Sequence, residues 1–175
     1  MKIKFTEIPD EGLSLEVHDQ AWFPDQELVR SSPAQARVFL QKKGNDRVLL
    51  TGDIKVAVVL ACDRCLEKFT EMINQAFRVD LELVGEEDQV PVDHSCSASE
   101  MDTLFLKKPE IDIYSILRQQ IFLLIPVKKN CTEKCRGLCP KCGANLNTEK
   151  CRCKLEISSS PFAVLAGFKK GDRDE

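Results

Sequence analysis

Residues 54–83 read IKVAVVLACDRCLEKFTEMINQAFRVDLEL, and their period decides the fold. Ile54, Val56, Val58, Leu60 and Cys62 fall on one face of an extended segment. Phe69, Ile73, Phe77, Val79, Leu81 and Leu83 share a face of the next, with Thr70, Asn74, Arg78, Asp80 and Glu82 opposite. A period of two marks strands that bury one face and wet the other, as antiparallel sheets do. Cys62-Asp-Arg-Cys65 then occupies the connection of a hairpin.

Upstream, residues 2–8, 13–17 and 37–41 alternate as further short strands, with Pro33-Ala-Gln-Ala36 as an interruption. Downstream, residues 85–102 (GEEDQVPVDHSCSASEMD) hold six acids and no Lys or Arg, which reads as a solvated loop. His94 and Cys96 lie in it and are taken as incidental. Residues 110–125 predict a helix, because Ile113, Ile116, Leu117, Ile121 and Leu124 follow 3.6 spacing. Asp112 suits its N-cap and Pro126 ends it. The predicted fold class is α+β: a mainly antiparallel β body with one packed helix, then a C-terminal Cys-rich zinc-knuckle segment. In domain terms, residues 1–125 form the body and 126–155 a metal-binding segment. Residues 156–175 add a short helix opened by Ser160 and Pro161, then a disordered tail.

Composition limits the rest. At 175 residues and 43% hydrophobic content the chain can bury a core. The apolar runs at 56–62 and 121–127 are too short to span a bilayer. The start, MKIKFTEIPDEG, has no signal-peptide h-region, so a cytoplasmic protein is expected. Thiols stay reduced there, and the nine cysteines read as ligands or redox groups rather than disulfides.

Six of them crowd into CTEKCRGLCPKCGANLNTEKCRC, at positions 131, 135, 139, 142, 151 and 153. Cys139-Pro-Lys-Cys142-Gly143 has the form of a zinc knuckle, in which two thiolates converge on one ion. Cys139, Cys142, Cys151 and Cys153 make the simplest closed set. Cys135 could replace either of the last two, or Cys131 and Cys135 could join Cys62 and Cys65 in a second site that docks the segment on the sheet. The sequence leaves these sets open. Zn2+ is the expected metal, with iron–sulfur ligation the alternative. Residues 126–155 have few large apolar side chains and need such a staple to fold.

The same segment is basic. Lys128, Lys129, Lys134, Arg136, Lys141, Lys150, Arg152 and Lys154 stand against Glu133 and Glu149, although the whole chain has a net charge of -3. A basic knob on an acidic body suits a phosphate backbone, so these eight are the candidate nucleic-acid contacts. No aromatic residue lies in the segment, which argues against base stacking. Cys62 and Cys65 could also form a redox pair, but the CxxC follows a strand and has no helix N-terminus to lower its thiol pKa. No nucleophile elbow, phosphate-binding loop or paired carboxylates stand in a recognisable context, so a binding protein is expected rather than an enzyme.

Four features coincide in order: VAVVLACDRCLEKF, the helix IDIYSILRQQIFLLIPV, the cysteine cluster and the terminal SPFAVLAGFKK. Together they resemble the bacterial YceD family, the large ribosomal RNA subunit accumulation proteins, over roughly residues 40–170. GLCPKCGANLN is the most specific part. The resemblance implies a non-enzymatic role in 23S rRNA accumulation and large-subunit assembly. The implied partners are large-subunit rRNA or a ribosomal protein of the 50S precursor, with no membrane and no small-molecule substrate. Some members resemble this chain around Cys62 and Cys65 but lack the later cluster. A zinc-stapled protein–protein module and a thiol redox protein are the rival readings.

Overall fold

The computed structural model describes residues 1–84 and 103–153. The acidic stretch 85–102 with His94 and Cys96, Lys154, and the helix and tail expected over 156–175 lie outside the described residues.

The hairpin predicted from period two is the spine of the molecule. Its strands are Arg47–Ala61 and Lys68–Leu83, paired antiparallel from Arg47↔Glu82 to Ala61↔Lys68. In chain order the strands are β1 (Lys2–Lys4), β2 (Leu13–Val17), β3 (Val29–Arg30), β4 (Gln35–Lys42), β5 (Arg47–Ala61), β6 (Lys68–Leu83), β7 (Thr103–Leu106) and β8 (Glu110–Asp112). One helix, α1, spans Ile113–Leu124. The main sheet runs β2-β4-β5-β6-β7, and β3 pairs with β5 beyond the reach of β4. β1 and β8 form a separate antiparallel ribbon.

Alternation places the core as expected. Ile54, Val56, Val58, Leu60, Ile73, Val79 and Leu81 are buried on one sheet face. α1 covers that side through Ile113, Ile116, Leu117 and Ile121, with Leu124 half-buried beside them. Trp22, Leu40, Leu50 and Ile111 complete a single cluster. Gly52 lets β4, β5 and β6 come this close. A Cβ there would lie 2.6 Å from the Arg37 carbonyl and 2.7 Å from the Phe77 ring.

Two expected boundaries need correction. Residues 110–112 are strand, not helix: β8 pairs with β1, and Asp112 stays extended to cap α1, its carboxylate accepting from the Tyr114 and Ser115 N–H groups. The strand expected over 2–8 ends at Lys4, because Phe5–Glu7 turns as a 3-10 helix closed by the Glu7 carboxylate on the Lys4 N–H at 2.9 Å. β7 joins β6 in parallel, so the mainly antiparallel sheet carries one parallel edge. No helix among the described residues is long and apolar enough to cross a membrane.

Candidate metal centres

Between β5 and β6 the chain reverses through Cys62-Asp-Arg-Cys65-Leu-Glu. The Cys62 N–H donates to the Glu67 carbonyl, and the Leu66 N–H to the Cys62 carbonyl, both at 2.9 Å. Leu66 takes a left-handed φ of 62° and points outward, 67% exposed. Cys62 and Cys65 are turned inward, 0% and 3% exposed.

The chain leaving α1 crosses this tip and is tied to it. The Asp63 N–H donates to the Lys129 carbonyl at 2.7 Å, and the Lys129 N–H returns to the Asp63 carboxylate at 2.8 Å. Arg64 Nη1 reaches the Cys135 carbonyl at 2.9 Å, the Leu138 N–H reaches the Arg64 carbonyl at 3.0 Å, and Asn145 Nδ2 reaches Glu67 at 2.8 Å. Gly137 makes the crossing possible. Its φ is 73°, and a Cβ would lie 3.0 Å from the Arg64 carbonyl oxygen.

This docking sorts the cysteines into two groups of four: Cys62, Cys65, Cys131 and Cys135, and Cys139, Cys142, Cys151 and Cys153. Within each group all sulfurs lie within 4.8 Å of one another. Cys62–Cys135 and Cys65–Cys131 are 3.8 and 3.6 Å apart in the first, and Cys142–Cys151 and Cys139–Cys151 are 3.6 and 3.3 Å apart in the second. Four sulfurs at about 2.3 Å from a tetrahedral ion stand roughly 3.8 Å apart, whereas a disulfide needs about 2.0 Å. Both groups could therefore hold a metal ion, and soft thiolates suit zinc or iron.

The free thiols are unevenly tuned. Backbone hydrogen bonds from Cys131, Cys65 and Arg64 bring Cys62 down to about 6 against the opposing effect of burial. Those from Cys142 and Lys141, with the Cys151 side chain, bring Cys139 down to about 6. For Cys65 the Glu67 backbone hydrogen bond pulls down, but burial and the Cys62, Cys131 and Cys135 thiols outweigh it and push it up to about 12. Cys151 and Cys142 push Cys153 up to about 12. Each group thus mixes thiols that ionise readily with thiols that give up their protons reluctantly, and a metal ion would have to displace the protons of the latter.

Of the ligand sets left open by the sequence, the structure assembles the knuckle set and, separately, the set that joins Cys131 and Cys135 to the hairpin tip. Cys135 faces Cys62 rather than replacing Cys151 or Cys153. Asn147 escaped the sequence reading. Its Nδ2 donates to Cys135 Sγ at 3.3 Å and its Oδ1 accepts from the Arg136 N–H at 2.8 Å. No local spacing signals this contact, because it depends on how the loop folds back on Cys135. Lys128, Lys134, Arg136, Lys141, Lys150 and Arg152 are exposed and Lys129 is half-buried. None of these forms an ion pair among the described residues.

The sequence model of the family described as "Large ribosomal RNA subunit accumulation protein YceD" matches residues 50–169. The chain is similar to the Arabidopsis thaliana protein named "Large ribosomal RNA subunit accumulation protein YCED homolog 1, chloroplastic", 28% identical over 159 residues, covering 79% of this chain and 49% of the relative. It is 31% identical over 130 residues to the Zea mays protein of the same name, covering 62% of this chain and 44% of the relative. The chain therefore spans just under half the length of these curated relatives. No solved structure gives a significant match. The family match takes in the CxxC hairpin tip, α1 and every cysteine of both groups, and the chain belongs to the YceD family.

Proposed function

We propose that this protein is a non-enzymatic factor that supports accumulation of 23S rRNA and assembly of the large ribosomal subunit in the cytoplasm. It does so by gripping rRNA phosphates with its metal-stapled basic segment. The observation that carries this is the exposed set Lys128, Lys134, Arg136, Lys141, Lys150 and Arg152, unpaired among the described residues, on a segment tied to the sheet by hydrogen bonds and by the cysteine group it shares with the hairpin tip. Unpaired cations on a rigid base release counterions from a polyanion without first breaking internal ion pairs. The family name and the names of both plant relatives speak of large-subunit rRNA accumulation, which supports the same direction.

Zinc is the metal this reading assigns to both groups. The sulfur spacing fits a four-thiolate tetrahedron, and when bound the ion supplies cross-linking rather than chemistry. Lys129 supports the segment through its backbone bonds to Asp63, and its side chain is a lesser contact.

The test is filter binding of the purified chain to a 23S rRNA fragment over a salt series. Reversing Lys128, Lys134, Lys141 and Lys150 to Glu should flatten the slope of log affinity against log salt by about three to four. The circular dichroism spectrum should stay unchanged. An unchanged slope would sink the proposal. A protein partner is the second reading, favoured by Leu123 and Val127, which are 75% and 96% exposed just ahead of Lys128. Capture of a ribosomal protein by a chain indifferent to naked rRNA would select it.

A further inference from the structure

We infer that the two cysteine groups have unequal tasks: Cys62, Cys65, Cys131 and Cys135 form a permanent weld, whereas Cys139, Cys142, Cys151 and Cys153 form an exchangeable metal site open to thiol and chelating ligands. The inference rests on the metal reading proposed above.

Access differs first. Cys62, Cys65 and Cys135 are 0%, 3% and 4% exposed, and Phe69 and Leu138 pack against them. Cys142 and Cys153 are exposed. Exchange at a filled thiolate site begins when an incoming donor adds to the ion as a further ligand, so the solvent-facing group is the one that can be attacked.

Topology differs second. The weld draws its ligands from the β5–β6 tip and from the chain beyond α1, 66 residues apart for Cys65 and Cys131. Opening it means parting these two stretches and breaking the bonds of Arg64 to Cys135 and of Asp63 to Lys129. The other group draws all four ligands from residues 139–153. Its opening needs that loop to unfold and the bonds of Asn145 to Glu67 and of Asn147 to Cys135 to part, but it leaves the sheet paired, and a local opening costs far less than one that disrupts the sheet.

Charge differs third. Lys141, Lys150 and Arg152 lie between the ligands of the second group and are exposed. They draw anionic chelators towards the site. The same three cations belong to the proposed rRNA contact, so the metal load of this group sets whether they are held together.

The test is zinc release from the full chain, loaded to saturation without oxygen and challenged with the chelator pyridylazoresorcinol. Two equivalents should be bound, one leaving roughly 100-fold faster than the other, as a local opening outruns a global one. Cys142→Ser should remove the fast equivalent and leave the slow one and the sheet's circular dichroism spectrum intact. Release of both equivalents in one phase would overturn the inequality while leaving the metal reading standing. Survival of the fast phase in Cys142→Ser would do the same. Absence of any bound zinc would overturn both.

Discussion

Asn147 acts on the first cysteine group from outside its ligand set. It donates to Cys135 Sγ and fixes the Arg136 backbone, so it orients a ligand and lowers the Cys135 thiol pKa. Asn147→Ala should weaken zinc binding at that group by about 10-fold, in line with other partners that hold a metal ligand. Competition with a chelator would read this, and an unchanged affinity would show that the hydrogen bond is incidental. Gly137 is a sharper case. Its left-handed φ and its close approach to the Arg64 carbonyl make Gly137→Ala cost roughly 1–2 kcal/mol, visible as a lower melting temperature of the zinc-loaded protein. Neither role was legible in the sequence. The spacing of Cys139 and Cys142 announces a knuckle locally, but the partners of Asn147 and Gly137 are set by how distant stretches of chain pack.

At the scale of elements, legibility follows length and period. β5 and β6 could be read because Ile54 to Leu60 and Phe69 to Leu83 alternate for long enough to exclude a helix. α1 could be read because its stripe is apolar at 3.6 spacing. The β1–β8 ribbon could not, since three residues such as Glu110, Ile111 and Asp112 carry no period and look like the start of the helix they precede. The parallel pairing of β7 with β6 was equally hidden, because strand order is a tertiary fact. Asp112→Ala should cost α1 about 1 kcal/mol, since two N–H groups lose their acceptor. A thermal melt that does not move would mean the helix is held by packing alone. Gly52→Ala should destabilise more than this cap loss. Its Cβ meets backbone on one side and the Phe77 ring on the other, and neither the Arg37 carbonyl nor a packed ring can move freely. A melting temperature equal to wild type would contradict the close packing of β4, β5 and β6.

For the whole molecule, the hairpin tip is where body and basic segment meet, and the first cysteine group, which could hold a metal ion, lies across that join. The ligands must be deprotonated, and Cys65 and Cys153 hold their protons with thiols pushed up to about 12. Metal affinity, and the stability that comes with it, is therefore greatest at high pH and is lost as pH falls. The protein should give up its zinc and unfold more easily as pH drops, most steeply below about pH 6, where Cys62 and Cys139 take up protons as well. Metal analysis after dialysis at each pH would show it, and full retention in acid would contradict thiolate ligation. The hairpin cysteines illustrate how much of the site could be read from residue order. Cys62 and Cys65 were legible as a pair and Cys131 and Cys135 as a pair. Their union depended on α1 returning the chain to the tip, which no local spacing encodes. In-cell ultraviolet crosslinking of the tagged chain, with sequencing of the attached RNA, reads out the proposed contact with large-subunit rRNA. The expected result is enrichment of 23S fragments that falls when Lys128, Lys134, Lys141 and Lys150 are reversed to Glu. A library no richer in 23S than an untagged control would contradict it.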